Sequence, residues 1–223
     1  MRPQVRNLSK KELVWLDEHF CKHGQRYLAH YNCYLREQAR PEITERIGYL
    51  DIEASNLKSD FGIVYCYCIK DGDSSTIYRD WVSPREFRTC LDKDVIRNCI
   101  RDMNRFDRIC TWYGSRFDLP FIRSRAIAHG LTFPLPKTLW QTDGWLISRN
   151  KLALSSNRLK AVAKFVLGKT QKTEIENIYW LRALQGNSKA MAYIVDHCEK
   201  DVLDLERVYR VIGQYSPKAK TSI

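Results

Sequence analysis

Apolar and polar positions alternate in two adjacent stretches of the chain, and this alternation predicts the start of a β-sheet. Residues 47–54 and 61–69 are rich in Ile, Val, Tyr and Cys, which favour strands. Residues 71–74, Asp-Gly-Asp-Ser, are typical of a hairpin turn, and a third strand-like run follows at 76–82. We therefore expect three antiparallel strands in succession.

Helical periodicity, with apolar residues three and four positions apart, dominates much of the remaining chain. Ser9 is a possible N-cap for a helix over residues 8–36, and Ser83 and Glu86 have the spacing of a capping box that starts a helix over residues 83–106. Further helices are expected at 120–129, 159–167, 175–184 and 188–212. Short strands are expected at 108–113 and 138–142. This succession predicts an α/β fold, a mixed sheet of three antiparallel strands plus parallel strands, flanked by helices.

Size and composition fit one such domain with a small appendage. The chain has 223 residues, 44% of them hydrophobic, and a chain of this length buries roughly 70–75% of its extended surface on folding. We expect a small helical N-terminal segment at 1–41, a main domain at 42–215 and a basic tail at 216–223. No apolar run reaches the roughly 18 residues of a membrane span and no secretory signal is evident. We thus expect an intracellular protein, cytoplasmic or nucleoid-associated and not secreted.

Positive charge exceeds negative charge by a wide margin. The chain has 37 Lys and Arg against 26 Asp and Glu, which gives a formal net charge of +11. Such an excess indicates a polyanionic partner, and nucleic acid is the first candidate. Composition alone does not separate a nucleic-acid binder from an enzyme that acts on nucleic acid.

Acidic residues occur at three places on or next to the predicted elements. Asp51 and Glu53 are two apart on a strand and point to one face, where they repel unless a cation or solvent compensates them. Asp118 follows a strand and precedes a helix, where it is either a helix N-cap or a ligand. His197 and Asp201 are four apart and share one face of the last helix. Alone, the acid pair on the strand and the Asp and His on the last helix are also typical of solvated surface, and Asp118 is also typical of an N-cap.

Together, these acidic groups resemble the motifs of the DEDD 3′–5′ exonucleases, which belong to the RNase H-like superfamily. Residues 51–53 resemble the first motif of that family, 117–121 the second and 197–202 the third, over about residues 47–209. Asp143 and the basic stretch after it are similar to the exonuclease domains of family B DNA polymerases. The resemblance implies an RNase H-like fold for the main domain.

The resemblance also implies a metal-dependent phosphodiesterase. Asp51, Glu53, Asp118 and Asp201 would bind two Mg²⁺ or Mn²⁺ ions, which promote attack by water and neutralise the leaving oxygen. His197 would orient or deprotonate that water, since the pKa of histidine lies close to working pH. These five residues are the predicted catalytic set.

The spacing of the third motif departs from the family pattern. Members with a catalytic tyrosine place it four residues before the last Asp, and members with a catalytic histidine place it five residues before. This chain has His197 at the tyrosine spacing from Asp201 and Asp196 at the histidine position. Asp196, Asp204 and Tyr193 are therefore alternatives for part of the role of His197.

We expect a 3′–5′ exonuclease that acts on nucleic acid, with DNA favoured and with single strands or 3′ ends as substrates. Two alternatives are a non-catalytic RNase H-like module that only binds nucleic acid, and a structure-selective endonuclease on the same fold. Leu57 and Phe117 flank the first two motifs and are candidates for stacking on a terminal base. Core packing is the alternative role of Phe117.

A basic stretch follows the second motif. Between Gly144 and Thr173 there is no acidic residue, and its basic residues are Arg149, Lys151, Arg158, Lys160, Lys164, Lys169 and Lys172. A charged run is usually a solvated helix face. Because this run has a single sign and accompanies a predicted phosphodiester site, we interpret it as a track for the nucleic-acid backbone.

The cysteines fall into two groups. Cys66, Cys68, Cys90, Cys99, Cys110 and Cys198 lie in apolar stretches and are expected to be reduced core residues. Near the N-terminus, by contrast, Cys21, His23, His30 and Cys33 are ligands of the types that build a closed tetrahedral zinc site. Their spacing matches no common zinc finger, and an amphipathic helix carrying Cys and His without metal is the alternative. A structural Zn²⁺ would stabilise an appendage too small for its own core.

Overall fold

A computed structural model of the chain describes residues 8–37, 45–134, 138–171, 175–216 and 221–222. The chain divides into two compact units, Met1–Arg46 and Ile47–Ile223. Lys172, the last residue of the basic stretch, lies outside the described residues. Within those residues, no helix has the length and apolar character needed to cross a bilayer.

Two short helices form in the N-terminal unit, α1 (Lys10–Glu18) and α2 (Tyr31–Glu37). Ser9 caps the start of α1 as expected, because its hydroxyl accepts a 3.1 Å hydrogen bond from the amide of Glu12. The expectation of one continuous helix over residues 8–36 is wrong. The segment 19–30 forms turns, and its Gly24 has a φ of +71°, a left-handed conformation that interrupts a helix.

Among the described residues of the second unit, six strands form one sheet. These are β1 (Ile47–Ala54), β2 (Val64–Asp71), β3 (Ile77–Trp81), β4 (Arg108–Thr111), β5 (Trp140–Asp143) and β6 (Thr221–Ser222). Across the sheet their order is β3-β2-β1-β4-β5-β6. The first three are antiparallel neighbours, and β4 and β5 continue from β1 in parallel, which confirms the expected mixed sheet. β6 pairs antiparallel with β5, within the segment predicted as a tail.

Helices cover both faces of this sheet. They are α3 (Glu86–Thr89), α4 (Lys93–Met103), α5 (Asp118–Ala128), α6 (Gly144–Lys151), α7 (Leu159–Leu167), α8 (Asn177–Leu184) and α9 (Ser188–Ile212), followed by a 3₁₀ turn at Gly213–Tyr215. On one face, α4 and α5 enclose a core with Leu50 and Ile52 of β1. On the other face, α8 and α9 pack on Cys66 and Cys68, and α7 and α9 pack around Tyr49. β1 therefore runs through the interior between two helical layers.

The helix expected over 83–106 is interrupted. Its capping box is present, because the side chains of Ser83 and Glu86 each accept a hydrogen bond from the other residue's amide. The backbone then breaks at Leu91, whose φ is +54°. The next residue, Asp92, is fully buried and accepts hydrogen bonds from the backbone of β2 and from the side chain of Arg125. The break delivers this carboxylate to the interior.

All eight cysteines are free thiols. Five of the six predicted core cysteines are buried as expected: Cys66, Cys68, Cys99, Cys110 and Cys198. The prediction for Cys90 is wrong, because the residue caps the end of α3 and is partly exposed there. The interruption of the expected helix thus also explains the exposure of this thiol.

Candidate active site

The first two acidic residues of the predicted site lie on β1, where this strand extends beyond its parallel neighbour. β1 pairs with β4 only over its first three residues. Further along, Asp51 and Glu53 lie opposite Cys68 and Cys66 of β2 and share their side of the sheet, as the alternation of a strand predicts. Those two cysteines pack against α9. The two acids therefore face the helix that carries the third motif.

Asp118 occupies the position beside β1 that β4 leaves open. It is buried, and its Oδ1 accepts a 3.1 Å hydrogen bond from the amide of Ile52, the residue between Asp51 and Glu53. Asp118 is the first residue of α5 and is not its N-cap, which is Phe117. Of the two roles that the sequence left open for Asp118, capping is excluded. The hydrogen bond from Ile52 to Asp118 therefore connects the second motif to the first.

The turn between β4 and α5 is held by Asp143, at the end of β5. Its buried carboxylate accepts hydrogen bonds from the amides of Tyr113 (2.8 Å), Ser115 (3.1 Å) and Trp145 (3.0 Å), and from the hydroxyl of Ser115. Tyr113 has a φ of +69°, a conformation that costs a non-glycine residue roughly 1–2 kcal/mol. Asp143 thus stabilises the strained turn that places Asp118. The sequence had singled out this residue by resemblance alone.

The third motif completes the group from α9. The Nε2 atom of His197 lies 3.7 Å from Oε1 of Glu53 and 3.7 Å from Oδ2 of Asp201. One ligand atom from each of these three residues lies within 4.8 Å of the others. The thiol of Cys198 donates a 3.4 Å hydrogen bond to the carbonyl of Asp51, which ties α9 to β1. His197 and Asp201 are both buried.

The three alternatives to His197 have partners elsewhere. Asp196 is exposed and pairs with a lysine one turn further along α9, at 2.5 Å. Asp204 accepts hydrogen bonds from the segment that follows α7. The ring of Tyr193 stacks on a tyrosine of α8, with 4.4 Å between centroids. Of the four residues, His197 is the one that lies among the carboxylates.

Two cysteines near the carboxylates are unsuited to bind a metal. Burial raises the pKa of the Cys66 thiol to about 11 and that of Cys198 well above its ordinary value. Both are neutral near pH 7, whereas the thiolate is the form that binds metals. The donors at this site are carboxylate oxygens and one imidazole nitrogen, a set that fits Mg²⁺ or Mn²⁺.

Two exposed apolar side chains stand in the loop after β1. Leu57 is 79% exposed and Phe61 is 82% exposed. The sequence had placed Phe61 inside a strand, which is wrong because β2 begins at Val64. Phe117, by contrast, is partly buried and packs against Phe121 of α5, with 5.6 Å between ring centroids. Packing therefore accounts for Phe117, while Leu57 and Phe61 present open surfaces next to the first motif.

The basic stretch forms an exposed surface on α6, α7 and their connections. Its six described members are all exposed: Arg149, Lys151, Arg158, Lys160, Lys164 and Lys169. The guanidinium of Arg149 lies over the ring of Trp145, 5.0 Å from its centroid. α7 packs on the same face of the sheet as α9. The predicted backbone track thus lies on the helical layer that also carries His197 and Asp201.

The N-terminal Cys and His residues form a second group of metal-binding side chains. One ligand atom from each of Cys21, His23, His30 and Cys33 lies within 4.8 Å of the other three. All four belong to the N-terminal unit. All four predicted zinc ligands thus come together, whereas at the carboxylate site Glu53 and Asp201 meet with His197, and Asp51 and Asp118 lie on or beside the same strand without joining that group.

Comparisons with known proteins agree with this architecture. Residues 48–212 match the sequence model of the RNase_H superfamily. A similar solved structure is the family B DNA polymerase from the hyperthermophilic archaeon Pyrobaculum calidifontis, with a TM-score of 0.59 and 20% sequence identity over 75% of this chain. The matched region spans 25% of the polymerase chain, and at this identity the likeness concerns the fold alone. A search of curated proteins found no match. The RNase H-like fold that the motifs implied is confirmed.

Proposed function

The chain belongs to the RNase H superfamily, and on that premise we propose that it is a metal-dependent nuclease, a 3′–5′ exonuclease that acts on DNA. The observation that carries the proposal is the convergence of Glu53, His197 and Asp201 at one end of the sheet, with Asp118 bonded to the same strand. Nucleases with an RNase H-like fold generally use divalent metals. The likeness to a DNA polymerase supports DNA as the substrate.

Four carboxylates are positioned to hold the metal ions. Asp51 and Glu53 lie on one face of β1, Asp118 bonds to the strand between them, and Asp201 on α9 lies close to Glu53. Two divalent ions bound by such carboxylates promote attack by water and neutralise charge on the leaving oxygen. The protein contributes rigidity, because all four acids lie on a strand or helix and Asp143 holds the turn that precedes Asp118.

His197 is the proposed proton acceptor. Its Nε2 atom points to the space between Glu53 and Asp201, where a water bound next to the carboxylates would lie. The imidazole either orients this water or takes its proton. Residues around the carboxylates would bind the substrate strand. The exposed side chains of Leu57 and Phe61 offer apolar surfaces on which the terminal base stacks, and the exposed basic stretch binds the phosphates.

The test is digestion of a 5′-labelled single-stranded DNA oligonucleotide with Mg²⁺ or Mn²⁺. We expect a ladder that shortens from the 3′ end and disappears when EDTA removes the metal. Asp201→Asn should lower the rate about a thousandfold or more, because a metal ligand contributes several kcal/mol and each 1.36 kcal/mol is about tenfold in rate. Asp196→Asn is the matched control on the same helix, since Asp196 is exposed and paired with a lysine.

The other outcomes separate the alternatives. A single internal cut would identify a structure-selective endonuclease. Binding of the oligonucleotide with no cleavage under either metal would identify a non-catalytic module and overturn the proposal. Full activity of Asp201→Asn would overturn the assignment of the metal site even if cleavage occurred.

A further inference from the structure

The N-terminal unit brings four metal-binding side chains into contact. The Sγ atom of Cys21 lies 3.7 Å from Nδ1 of His23 and 3.4 Å from Nδ1 of His30. The Sγ atom of Cys33 lies 3.3 Å from Nδ1 of His23. Both histidines thus direct the same ring nitrogen towards sulfur, and both thiols are free.

These separations match the edges of a zinc-centred tetrahedron. Zinc binds sulfur at about 2.3 Å and imidazole nitrogen at about 2.0–2.1 Å, so tetrahedral geometry places a sulfur and a nitrogen about 3.5 Å apart. Three sulfur–nitrogen distances in the cluster, 3.3, 3.4 and 3.7 Å, lie around this value. All four ligand atoms lie within 4.8 Å of one another, so one ion reaches all of them.

The backbone around these ligands is arranged to present them. The amide of Gly24 donates to the carbonyl of Cys21 at 2.9 Å, which closes a turn, and Gly24, the last residue of this turn, adopts a left-handed conformation that glycine tolerates without strain. This turn carries Cys21 and His23. His30 precedes α2 and Cys33 lies in its first turn, joined by a 2.9 Å bond from the amide of Cys33 to the carbonyl of His30. Two short segments therefore supply two ligands each.

The unit needs a constraint beyond its hydrophobic core. Among its described residues, the buried hydrophobic cluster consists of Leu16, Cys21, Tyr27, Cys33 and Tyr34. Two of these five are the cysteines of the cluster itself. Units below roughly 70–80 residues usually add a disulfide, a metal or oligomerisation to their core, and this unit spans Met1–Arg46. Both thiols are free, so the cluster offers a metal site in place of a disulfide.

We propose that Cys21, His23, His30 and Cys33 bind one structural Zn²⁺ ion that holds the N-terminal unit in its fold. Two thiolates and two imidazoles fill the four positions of a closed tetrahedral site, which leaves none for substrate. Soft sulfur ligands separate this site from the carboxylate site of the sheet, which selects hard ions. The proposal does not depend on the nuclease activity.

The experiment measures metal on the full chain. After reconstitution with Zn²⁺ and removal of excess by a weak chelator, elemental analysis should find about one thiolate-bound zinc per chain. Replacement by Co²⁺ should give the visible bands of tetrahedral cobalt together with a thiolate-to-cobalt charge-transfer band. Cobalt at the carboxylate site would lack the charge-transfer band, so the two sites are distinguished in the wild-type protein without any variant.

Variants then locate the ion. Cys21→Ser and Cys33→Ser should each abolish the charge-transfer band or reduce it strongly and lose the retained zinc, whereas the control Cys90→Ser should change neither. His30→Ala should weaken zinc binding, with His19→Ala as its control on the exposed surface. A wild-type chain that retains no zinc and shows no charge-transfer band would overturn the proposal, leaving a hydrogen-bonded quartet only. So would an unchanged band in Cys21→Ser. Cleavage of DNA plays no part in these readouts.

Discussion

At the scale of single residues, the position of His197 distinguishes this site from the patterns it resembles. Its spacing of four from Asp201 is the spacing at which members of the exonuclease family that the motifs resemble carry a tyrosine, and the structure places its Nε2 atom 3.7 Å from two carboxylates. A side chain one helical turn before another lies on the same face of the helix. His197 therefore occupies the position on the helix at which that family's pattern has a tyrosine.

This spacing leads to a prediction for His197. We expect His197→Phe to lower kcat about a hundredfold or more, because the group that orients or accepts the proton is lost while a ring of similar size remains. His197→Tyr should recover part of the rate. The measurement is single-turnover cleavage of the labelled oligonucleotide, with KM and the thermal midpoint of each variant recorded. A fully active His197→Phe protein would exclude the proposed role.

The sequence motifs predicted the proposed catalytic residues, but they did not predict the residues that hold those side chains in place. Asp51, Glu53, Asp118, His197 and Asp201 were all predicted from the resemblance of their motifs to a known family, and the structure places them on or next to β1. The four hydrogen bonds of Asp143 could not be predicted, because its partners lie about 30 residues earlier in the chain or in the next turn. Phe61 was missed because an apolar residue next to a strand is most simply interpreted as part of it.

At the scale of elements, the break between α3 and α4 places the carboxylate of Asp92 in the protein interior. Burial acts to raise the pKa of Asp92, but the hydrogen bonds of Arg125, of the Val64 amide and of His129 outweigh it and lower the pKa. A carboxyl whose folded pKa lies below its unfolded value of about 3.9 stabilises the fold above that pH. This contribution is lost as the pH falls towards the lowered folded value.

Removal of the partner of Asp92 should be costly. Asp92 is fully buried and Arg125 is mostly buried, with 2.7 Å between their charged groups. We expect Arg125→Met to destabilise the protein by about 3–5 kcal/mol, because it leaves a buried carboxylate without its main counter-charge. Urea denaturation of the second unit, followed by tryptophan fluorescence, measures the change.

The matched control is Arg97→Met on α4. Arg97 also pairs with an aspartate, but both side chains of that pair are substantially exposed. Exposed pairs contribute about 1 kcal/mol or less. Similar losses in the two variants would show that the buried cluster is no more important than a surface pair.

The elements themselves were largely predictable, and their interruptions were not. The strands of the first hairpins and the long last helix follow from periodicity, because one face of each is buried. The expected helices over 8–36 and 83–106 failed at Gly24 and Leu91, where the backbone takes a positive φ. In both cases the break serves a tertiary contact, the Cys and His cluster in one and Asp92 in the other, which local pattern does not reveal.

At the scale of the whole molecule, part of the net charge of +11 can be assigned to one face of the sheet. Six basic residues are exposed along α6, α7 and their connections, on the helical layer that contains α9. α4 lies on the opposite face of the sheet. If the proposed track binds the nucleic-acid backbone, charge reversal on α7 and on α4 should therefore have different effects.

We expect Lys160→Glu combined with Lys164→Glu to weaken binding of single-stranded DNA and to reduce the slope of log affinity against log salt by about 1.4. The physical reason is the loss of two phosphate contacts and of the counterions that each releases. Fluorescence anisotropy with an inactive Asp201→Asn background measures binding without cleavage.

The control pair is Lys93→Glu with Arg97→Glu, which makes the same change in net charge at the same helical spacing on α4. We expect this pair to leave the salt slope nearly unchanged. Equal effects of the two double variants would mean that only total charge matters and that no track exists on α7.

The hydrogen bonds that tie the site together join residues far apart in the chain. Ile52 bonds to Asp118 across 66 positions, and Asp51 bonds to Cys198 across 147. An unfolded chain therefore has no counterpart of this site, and a divalent ion bound there binds the folded form alone. By mass action, an ion that binds as proposed would offset the mutual repulsion of the acids and shift the folding equilibrium, so that the stability of the protein would depend on the concentration of divalent cations.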